Sequence, residues 1–225
     1  MRLSIIVPAL DEAPQIVAAL EALAPLRAGG HEVIVVDGGS ADGTPALAAG
    51  LADRILQAPR GRARQMNAGA AIASGDGLVF LHADTRLPPD AAPLLLAALA
   101  SRGWGRFDVR IEGRSPLLAI VAFCMNWRSR LSGIATGDQA MFVRRDVFAA
   151  AGGFSDIPLM EDVALSARLK KISPPACLPQ RVVTSGRGWE RRGVLRTIVL
   201  MWRLRLAYFL GARPEDLARR YANGA

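Results

Sequence analysis

The sequence contains little of what several classes of protein depend on. Its two cysteines, Cys124 and Cys177, lie far apart and form neither a metal-binding spacing nor a disulfide framework. Its longest stretch without a charged side chain, residues 115–127, is 13 residues long, whereas a membrane-spanning helix needs about 20. No long apolar segment follows Met1. We therefore expect neither a signal peptide nor a membrane span, and we predict a cytoplasmic location.

Lysine is also scarce, and the positive charge is unevenly placed. Only two of the 28 basic residues are lysines, and the net charge is +8. Residues 181–225 contain ten arginines and three acidic residues, which gives +7, whereas residues 1–180 give +1. Such a patch is typical of a surface that meets nucleic acid, an anionic membrane or a phosphorylated ligand. Few aromatic residues lie between these arginines, so we predict no nucleic-acid partner.

The first half of the chain alternates between strand and helix patterns. Strand patterns occupy residues 3–7, 32–36, 54–57 and 77–81, and helix patterns occupy residues 13–23, 44–52 and 65–73. This alternation predicts a mostly parallel sheet, in which ligands bind at the carboxyl ends of the strands. Polar residues follow three of the strands, at residues 8–12, 37–40 and 82–84. We expect one pocket to collect them.

The second half is less regular, and no linker or repeat divides the chain. Its patterns predict strands at residues 104–111 and 139–143 and helices at residues 117–131, 162–171 and 194–210. We therefore predict a single α/β domain over residues 1–225, with a Rossmann-like, mostly parallel sheet flanked by helices. We expect a nucleotide-binding half at residues 1–100, an acceptor and catalytic half at residues 101–190, and basic amphipathic helices at residues 191–225.

Acidic residues at three places could carry the chemistry, and each also has a structural interpretation. Asp37 ends a buried strand and can accept hydrogen bonds from a base or a ribose; it can also cap the next helix, as Asp42 could instead. Asp84 can hold a divalent cation or form a turn. Glu161 and Asp162 can supply a general base and its support, or cap a helix.

An ordered set of short motifs connects these positions. It comprises residues 4–12 (SIIVPALDE), 35–40 (VVDGGS), 42–44 (DGT), 67–69 (NAG), 81–84 (LHAD), 152–154 (GGF) and 161–162 (ED), with Leu165 and Arg168. The set spans residues 3–172 and resembles glycosyltransferase family 2, the inverting enzymes of the GT-A fold. Four further stretches, at residues 104–109, 136–139, 158–162 and 184–187, resemble a bacterial subgroup named for gene neighbourhoods shared with radical-SAM/selenodomain proteins.

The resemblance implies a nucleotide-diphospho-sugar donor, with a UDP-sugar favoured, and Mn2+ or Mg2+ on its diphosphate. It implies that Asp162 is the general base, that Glu161 supports it, and that Asp84 is the metal ligand. The expected donor contacts are Pro8, Ala9, Glu12, Asp37, Gly38, Arg62, Arg64, Asn67 and Asp84. The expected acceptor contacts are Trp104, Asp138, Gln139 and Trp189.

Three residues depart from the family pattern. Asp11 stands where the family usually has Asn, and Gly38 stands where it usually has a second Asp, which weakens the expected ribose contacts. His82 replaces the first acid of the DxD-type motif, so metal binding is expected to depend largely on Asp84.

Two other functions compete with the transferase. A nucleotidyltransferase of related fold also needs an acidic metal site, but residues 8–12 stand where its glycine-rich basic phosphate loop would follow the first strand. A non-catalytic module could bind a membrane surface through residues 191–210; the retained pair Glu161 and Asp162 argues against it.

The last predicted helix carries apolar residues at helical spacing, namely Leu195, Ile198, Val199, Trp202, Leu206 and Phe209. We expect this stripe to pack on the body of the domain or on a second subunit in a homodimer. The alternative is that it lies on an anionic membrane, at the inner face of the cell membrane.

Overall fold

The computed structural model describes residues 1–223. Its strands are β1 (Leu3–Ala9), β2 (Glu32–Asp37), β3 (Arg54–Gln57), β4 (Gly77–Phe80), β5 (Thr85–Arg86), β6 (Trp104–Glu112), β7 (Phe142–Arg144) and β8 (Ala176–Ser185). They form one eight-stranded sheet in the order β3-β2-β1-β4-β7-β6-β8-β5. Six strands run in one direction, and β5 and β7 run antiparallel to their neighbours. The prediction of a mostly parallel α/β sheet is confirmed.

Helices lie on both faces of this sheet. They are α1 (Ala13–Glu21), α2 (Ala24–Ala28), α3 (Thr44–Ala48), α4 (Arg62–Ile72), α5 (Ala91–Ser101), α6 (Leu117–Ser132), α7 (Arg145–Ala150), α8 (Glu161–Ile172), α9 (Arg187–Arg192), α10 (Val194–Phe209) and α11 (Pro214–Asn223). The sheet combines strands from residues 1–100 and from residues 101–190, while the boundaries drawn at 100 and 190 stay a prediction.

The central strands are apolar without alternation because both faces of the sheet are covered. Ile5 and Val35 belong to the core on one face, whereas Ile6 and Ile34 belong to the core on the other. All four side chains are fully buried. Burial of one such side chain stabilises a fold by about 1.5–3 kcal/mol, so these two strands fix the centre of the sheet.

Several predicted elements have different bounds, and six elements were missed. The helix expected over residues 13–23 is α1, which ends at Glu21, and the one expected over 44–52 ends at Ala48. The strand expected over residues 139–143 is wrong at its start, where residues 137–139 form a 3-10 turn and β7 begins only at Phe142. Ala140 between them has a positive φ of 47°, which extended backbone does not allow. The helices α2, α5, α7 and α9 and the strands β5 and β8 were not predicted.

The apolar stripe of α10 does not pack on the body of the domain as we expected. The buried residues of α10 are Val194, Thr197 and Leu204, whereas Trp202 is 69% exposed and Leu195 is 65% exposed. The inner side of α10 is apolar as well, since Leu204 is buried in a cluster with Met160 and Val163, and Leu200 and Met201 pack against that cluster. Within residues 1–223, every helix is too short or too polar to cross a lipid bilayer.

Candidate active site

Two neighbouring strand ends form the first wall of the site. Ala9 at the end of β1 pairs with Asp37 at the end of β2, and the N–H of Gly38 donates to the carbonyl of Ala9 at 2.9 Å. Asp37 is 4% exposed, and its carboxylate accepts the N–H groups of Gly39 and Ser40 at 2.9 and 3.1 Å. The aspartate therefore fixes the shape of its own loop, at the edge where the sequence predicts the nucleoside.

Helix capping is the task of Asp42 rather than Asp37. The carboxylate of Asp42 accepts the N–H of Thr44 at 3.0 Å and the N–H of Ala13 at 2.9 Å. It thereby ties the start of α3 to the start of α1. The sequence left two roles open for Asp37, a contact with a base or ribose and the capping of the next helix. Because Asp42 already caps that helix, the contact with a base or ribose is the role that remains for Asp37.

Gln65 belongs to the same wall, although no motif indicated it. It is 3% exposed, and its amide donates to the carbonyls of Ala9 and Val36, both at 2.8 Å. A Cβ atom at Gly38 would lie 3.1 Å from this amide. The glycine that replaces the usual Asp therefore makes room for a side chain that bridges two strand ends. The sequence signal that could have identified Gln65 is its position as a polar residue on the buried face of α4.

The two arginines of α4 face different surroundings. Burial lowers the pKa of Arg62, but the charges of Glu161 and Asp138 outweigh it, so the pKa is raised overall. Arg62 therefore lies within electrostatic range of these carboxylates, although among the described residues no ion pair joins it to them. Arg64 instead donates to Asp156 at 2.7 Å on the protein surface. Of these two predicted donor residues, the structure brings Arg62 to the site and turns Arg64 away from it.

Asn67, the third predicted donor residue of α4, is engaged within the fold. Its amide nitrogen donates to the carbonyl of Phe154 at 2.8 Å, and its oxygen accepts the N–H of Phe154 at 2.9 Å. Phe154 is itself packed edge-on against Phe80 at the end of β4. Asn67 therefore positions the loop at residues 152–154, and its contact with the donor stays a prediction.

His82 links the end of β4 to the turn at residues 136–138. Its Nδ1 atom lies 3.4 Å from Oδ1 of Asp138, and a Cβ atom at Gly137 would lie 2.6 Å from its Nε2 atom. Burial raises the pKa of Asp138, but the hydrogen bond and charge of His82 and the charge of Arg62 lower it by more. The histidine that replaces the first DxD acid thus pairs with an aspartate of the catalytic half.

Asp84 lies at the third strand end that the sequence placed in the pocket. It lines a cavity of about 270 Å³ together with Gln15 and Arg86. Glu12 is nearby: burial raises its pKa, a hydrogen bond from Gln15 lowers it, and the charge of Asp84 raises it further. Arg187, which ends the stretch at residues 184–187, also acts on Glu12 and places a cation at this edge.

The donor atoms at this edge fit a metal that shares its ligands with a substrate. Among residues 1–223, no three His, Cys, Asp or Glu side chains lie close enough together to hold a metal ion alone. The carboxylate of Asp84 accepts only the hydroxyl of Thr85, at 3.3 Å, from the described residues. Mg2+ is commonly bound through one or two carboxylates and the phosphates of a substrate, which is what Asp84 offers.

Glu161 and Asp162 begin α8 after Met160, which has a left-handed φ of 70°. Asp162 accepts the N–H of Gly137 at 2.9 Å, so it joins the turn that carries Asp138. Burial and the charge of Asp138 raise its pKa although two backbone N–H groups lower it. Burial, followed by the charge of Asp162, raises the pKa of Glu161 to about 7. One of the two carboxyls is therefore poised to exchange a proton near neutral pH.

Arg128 of α6 adds a cation that the motifs missed. Its three guanidinium nitrogens are buried and donate no hydrogen bond to the described residues. Burial lowers its pKa, the charge of Asp162 raises it, and the charge of Arg106 lowers it again, with a net fall. A buried cation of this kind favours the ionised form of the neighbouring carboxylate.

The predicted acceptor residues separate into two pairs. Trp104 is the first residue of β6, so it lies at the amino ends of the parallel strands, away from the site. It is fully buried and donates to the carbonyl of Ser173, so it cannot touch an acceptor. Gln139 is fully buried too, because it forms a capping box with Thr136. Asp138 lies in the site, and Trp189 is half-buried on α9, which follows β8 at the site's own edge.

Comparison with known proteins places this geometry in context. The model of the family described as "Glycosyl transferase family 2" matches residues 4–114. The beta-monoglucosyldiacylglycerol synthase of Synechocystis is 27% identical over 160 residues, which are 62% of this chain and 33% of that protein. An uncharacterized glycosyltransferase of Mycobacterium tuberculosis is 30% identical over 175 residues, 71% of this chain and 66% of that protein. The chain thus spans a third of the first relative and about two thirds of the second.

A solved structure confirms the fold. The mannosyltransferase PcManGT from Pyrobaculum calidifontis, in complex with GDP-Man and Mn2+, superimposes with a TM-score of 0.68 at 22% identity. The match covers 99% of this chain and 69% of that one. The predicted GT-A architecture is therefore confirmed, whereas the predicted bacterial subgroup stays a prediction.

Proposed function

This chain belongs to glycosyltransferase family 2, and from that premise we propose that it transfers a sugar, with inversion, from a nucleotide-diphospho-sugar to an acceptor nucleophile. One observation carries the proposal: a chain of polar contacts joins the predicted donor edge to the predicted base. His82 meets Asp138, and the neighbouring Gly137 donates to Asp162. The donor and the acceptor would thus bind on either side of the turn at residues 136–138.

The donor would lie along the ends of β1 and β2. The loop fixed by Asp37, together with Pro8, Ala9, Glu12 and Gly38, would hold the nucleoside. Arg62 would face the diphosphate, since its charge already balances the carboxylates around it. GDP-Man in the mannosyltransferase of Pyrobaculum calidifontis supports the donor class, and we propose a UDP-sugar as the preferred donor.

Asp84 would hold Mn2+ or Mg2+ against the diphosphate, with Arg187 as a second positive charge at the same edge. The metal would stabilise the negative charge that develops on the leaving nucleoside diphosphate. The protein's part is to position Asp84 beside the cavity and to keep one of its oxygens free of internal hydrogen bonds.

Asp162 would remove the proton from the acceptor. It is less buried than Glu161, which is 6% exposed, and two backbone N–H groups orient its carboxylate. Glu161 would support Asp162 because the protonation state of Glu161 sets the negative charge next to it. Burial raises the pKa of Asp162, which makes its carboxylate a stronger base, and Arg62 and Arg128 offset the repulsion between the two carboxylates.

The experiment that tests the proposal is a donor screen. The protein is incubated with UDP-glucose, UDP-GlcNAc and GDP-mannose, with and without Mn2+, and the released nucleotide is identified by chromatography. A transferase releases the nucleoside diphosphate, by transfer or by slow hydrolysis. Release of nucleoside monophosphate, or of no nucleotide from any donor, would argue against the proposed function.

A further inference from the structure

The helix α10 presents a continuous apolar stripe to solvent. Its members follow one another at steps of three and four residues, as neighbours on one side of a helix do. They are Leu195 (65% exposed), Val199 (54%), Trp202 (69%), Leu206 (61%) and Phe209 (70%). A stripe of this size without a protein partner marks an interaction surface.

A second exposed stripe lies on α6, which the sequence had not singled out. It consists of Ile120 (57% exposed), Phe123 (61%), Trp127 (51%) and Leu131 (80%). The two helices contact each other, and Val121 of α6 and Val194 of α10 belong to one buried cluster, whereas Leu204 farther along α10 belongs to another. The apolar surface therefore extends over two adjoining helices; we call it the α6–α10 face.

Arginines border this face. A groove of about 910 Å³ beside α10 is lined by Arg196, Arg203 and Arg220 and by aliphatic residues that include Leu195 and Val199. All three arginines are exposed, and none forms an ion pair or hydrogen bond within residues 1–223. Cations next to apolar side chains are the arrangement that suits an anionic lipid, whose phosphate and acyl chains adjoin.

We propose that the α6–α10 face binds the surface of a lipid bilayer that contains anionic lipids. The charge decides between this occupant and a second copy of the chain. A dimer through this face would bring the unpaired arginines of two copies together, because residues 181–225 carry +7. An anionic bilayer instead attracts each exposed arginine, and the tryptophans Trp127 and Trp202 suit the level of the lipid headgroups.

The proposed surface adjoins the site but does not depend on the proposed function. The inner side of α10 packs through Leu204 against Met160 and Val163, which flank Glu161 and Asp162. Binding to lipid would therefore place the carboxylates close to the membrane. Since binding is measured without turnover, its failure and the failure of the transferase proposal can be told apart.

The test is sedimentation of the full chain with vesicles of pure phosphatidylcholine or of phosphatidylcholine with about 30% phosphatidylglycerol. We expect binding only to the anionic vesicles. Trp202→Glu should weaken it about tenfold or more, because a large apolar side chain leaves the interface. Replacing Arg196 and Arg203 by glutamine should weaken it about fivefold per arginine. Leu47→Glu is the matched control, since Leu47 is 43% exposed on α3 and should leave binding unchanged.

Circular dichroism of each variant establishes that it is folded, and light scattering gives its mass. Absence of binding to anionic vesicles, equal binding to both vesicle types, or full binding by Trp202→Glu would overturn the proposal. A parent dimer that Trp202→Glu converts into a monomer would likewise overturn it, because a second copy would then cover the face.

Discussion

Replacing Glu161 by glutamine should stabilise the protein at alkaline pH and change little at acidic pH. Burial, and next the charge of Asp162, raise the pKa of Glu161 from 4.5 to about 7, while Arg62 opposes this rise. Above that pH the parent keeps a negative charge in a place that disfavours it. Glutamine has nearly the same shape and does not ionise, so the variant avoids this cost.

The difference between the two pKa values sets the size of the effect. One pKa unit corresponds to about 1.4 kcal/mol, so a rise from 4.5 to about 7 corresponds to about 3 kcal/mol. Between these two values, the folded protein keeps a proton that the unfolded chain releases. The stability that neutral Glu161 contributes is therefore complete below pH 4.5 and is lost as the pH rises through about 7.

Urea unfolding of parent and variant at about pH 4 and about pH 8 measures this difference. We expect nearly equal free energies of unfolding at the lower pH and a gain of about 3 kcal/mol for Glu161→Gln at the higher pH. Glu21→Gln, an exposed change on α1, is the control and should stay within about 0.5 kcal/mol at both. Equal stability at the higher pH, or a loss at both, would show that the surroundings favour ionised Glu161.

Two further predictions concern the donor edge. Arg62→Met should weaken the binding of UDP or GDP, measured by calorimetry, about tenfold or more, since a charge-assisted hydrogen bond contributes about 1.5–3 kcal/mol. Arg64→Met breaks the surface pair with Asp156 and should change this affinity less than about twofold. Equal losses of affinity in the two variants would contradict the assignment of Arg62 to the donor. Titration with Mn2+ should show weak binding to the protein alone and much tighter binding once the nucleoside diphosphate is present, because Asp84 supplies one carboxylate; tight binding without nucleotide would contradict this.

The sequence predicted the first half of the fold well because its signals there are local. The strands β1, β2 and β4 are short, buried and mostly apolar runs, and each of the strands β1 to β4 was found within two residues of the structure. The helix α5 escaped because its sequence is apolar on nearly every side and shows no helical periodicity. The strand β8 escaped because it contains Pro179 and because only two of its residues, Val182 and Thr184, are buried.

The candidate site was predictable only in part, for a similar reason. The rule that ligands bind at the carboxyl ends of parallel strands correctly brought Ala9, Asp37 and Asp84 to one edge. Contacts between distant segments, such as His82 with Asp138, leave no local signal and had to be seen in the structure. Trp104 was misplaced because a motif names a residue type and not the edge of the sheet at which it lies.

The most direct test of the account compares donor turnover and donor affinity in the parent, in Asp162→Asn and in Asp146→Asn. Asp146 is an exposed residue of α7 that pairs only with Arg144, so its variant is the matched control. The account predicts that Asp162→Asn lowers the rate of nucleoside diphosphate release by about 100-fold or more while donor affinity changes little. A near-parental rate in Asp162→Asn, or an equal loss in Asp146→Asn, would contradict it.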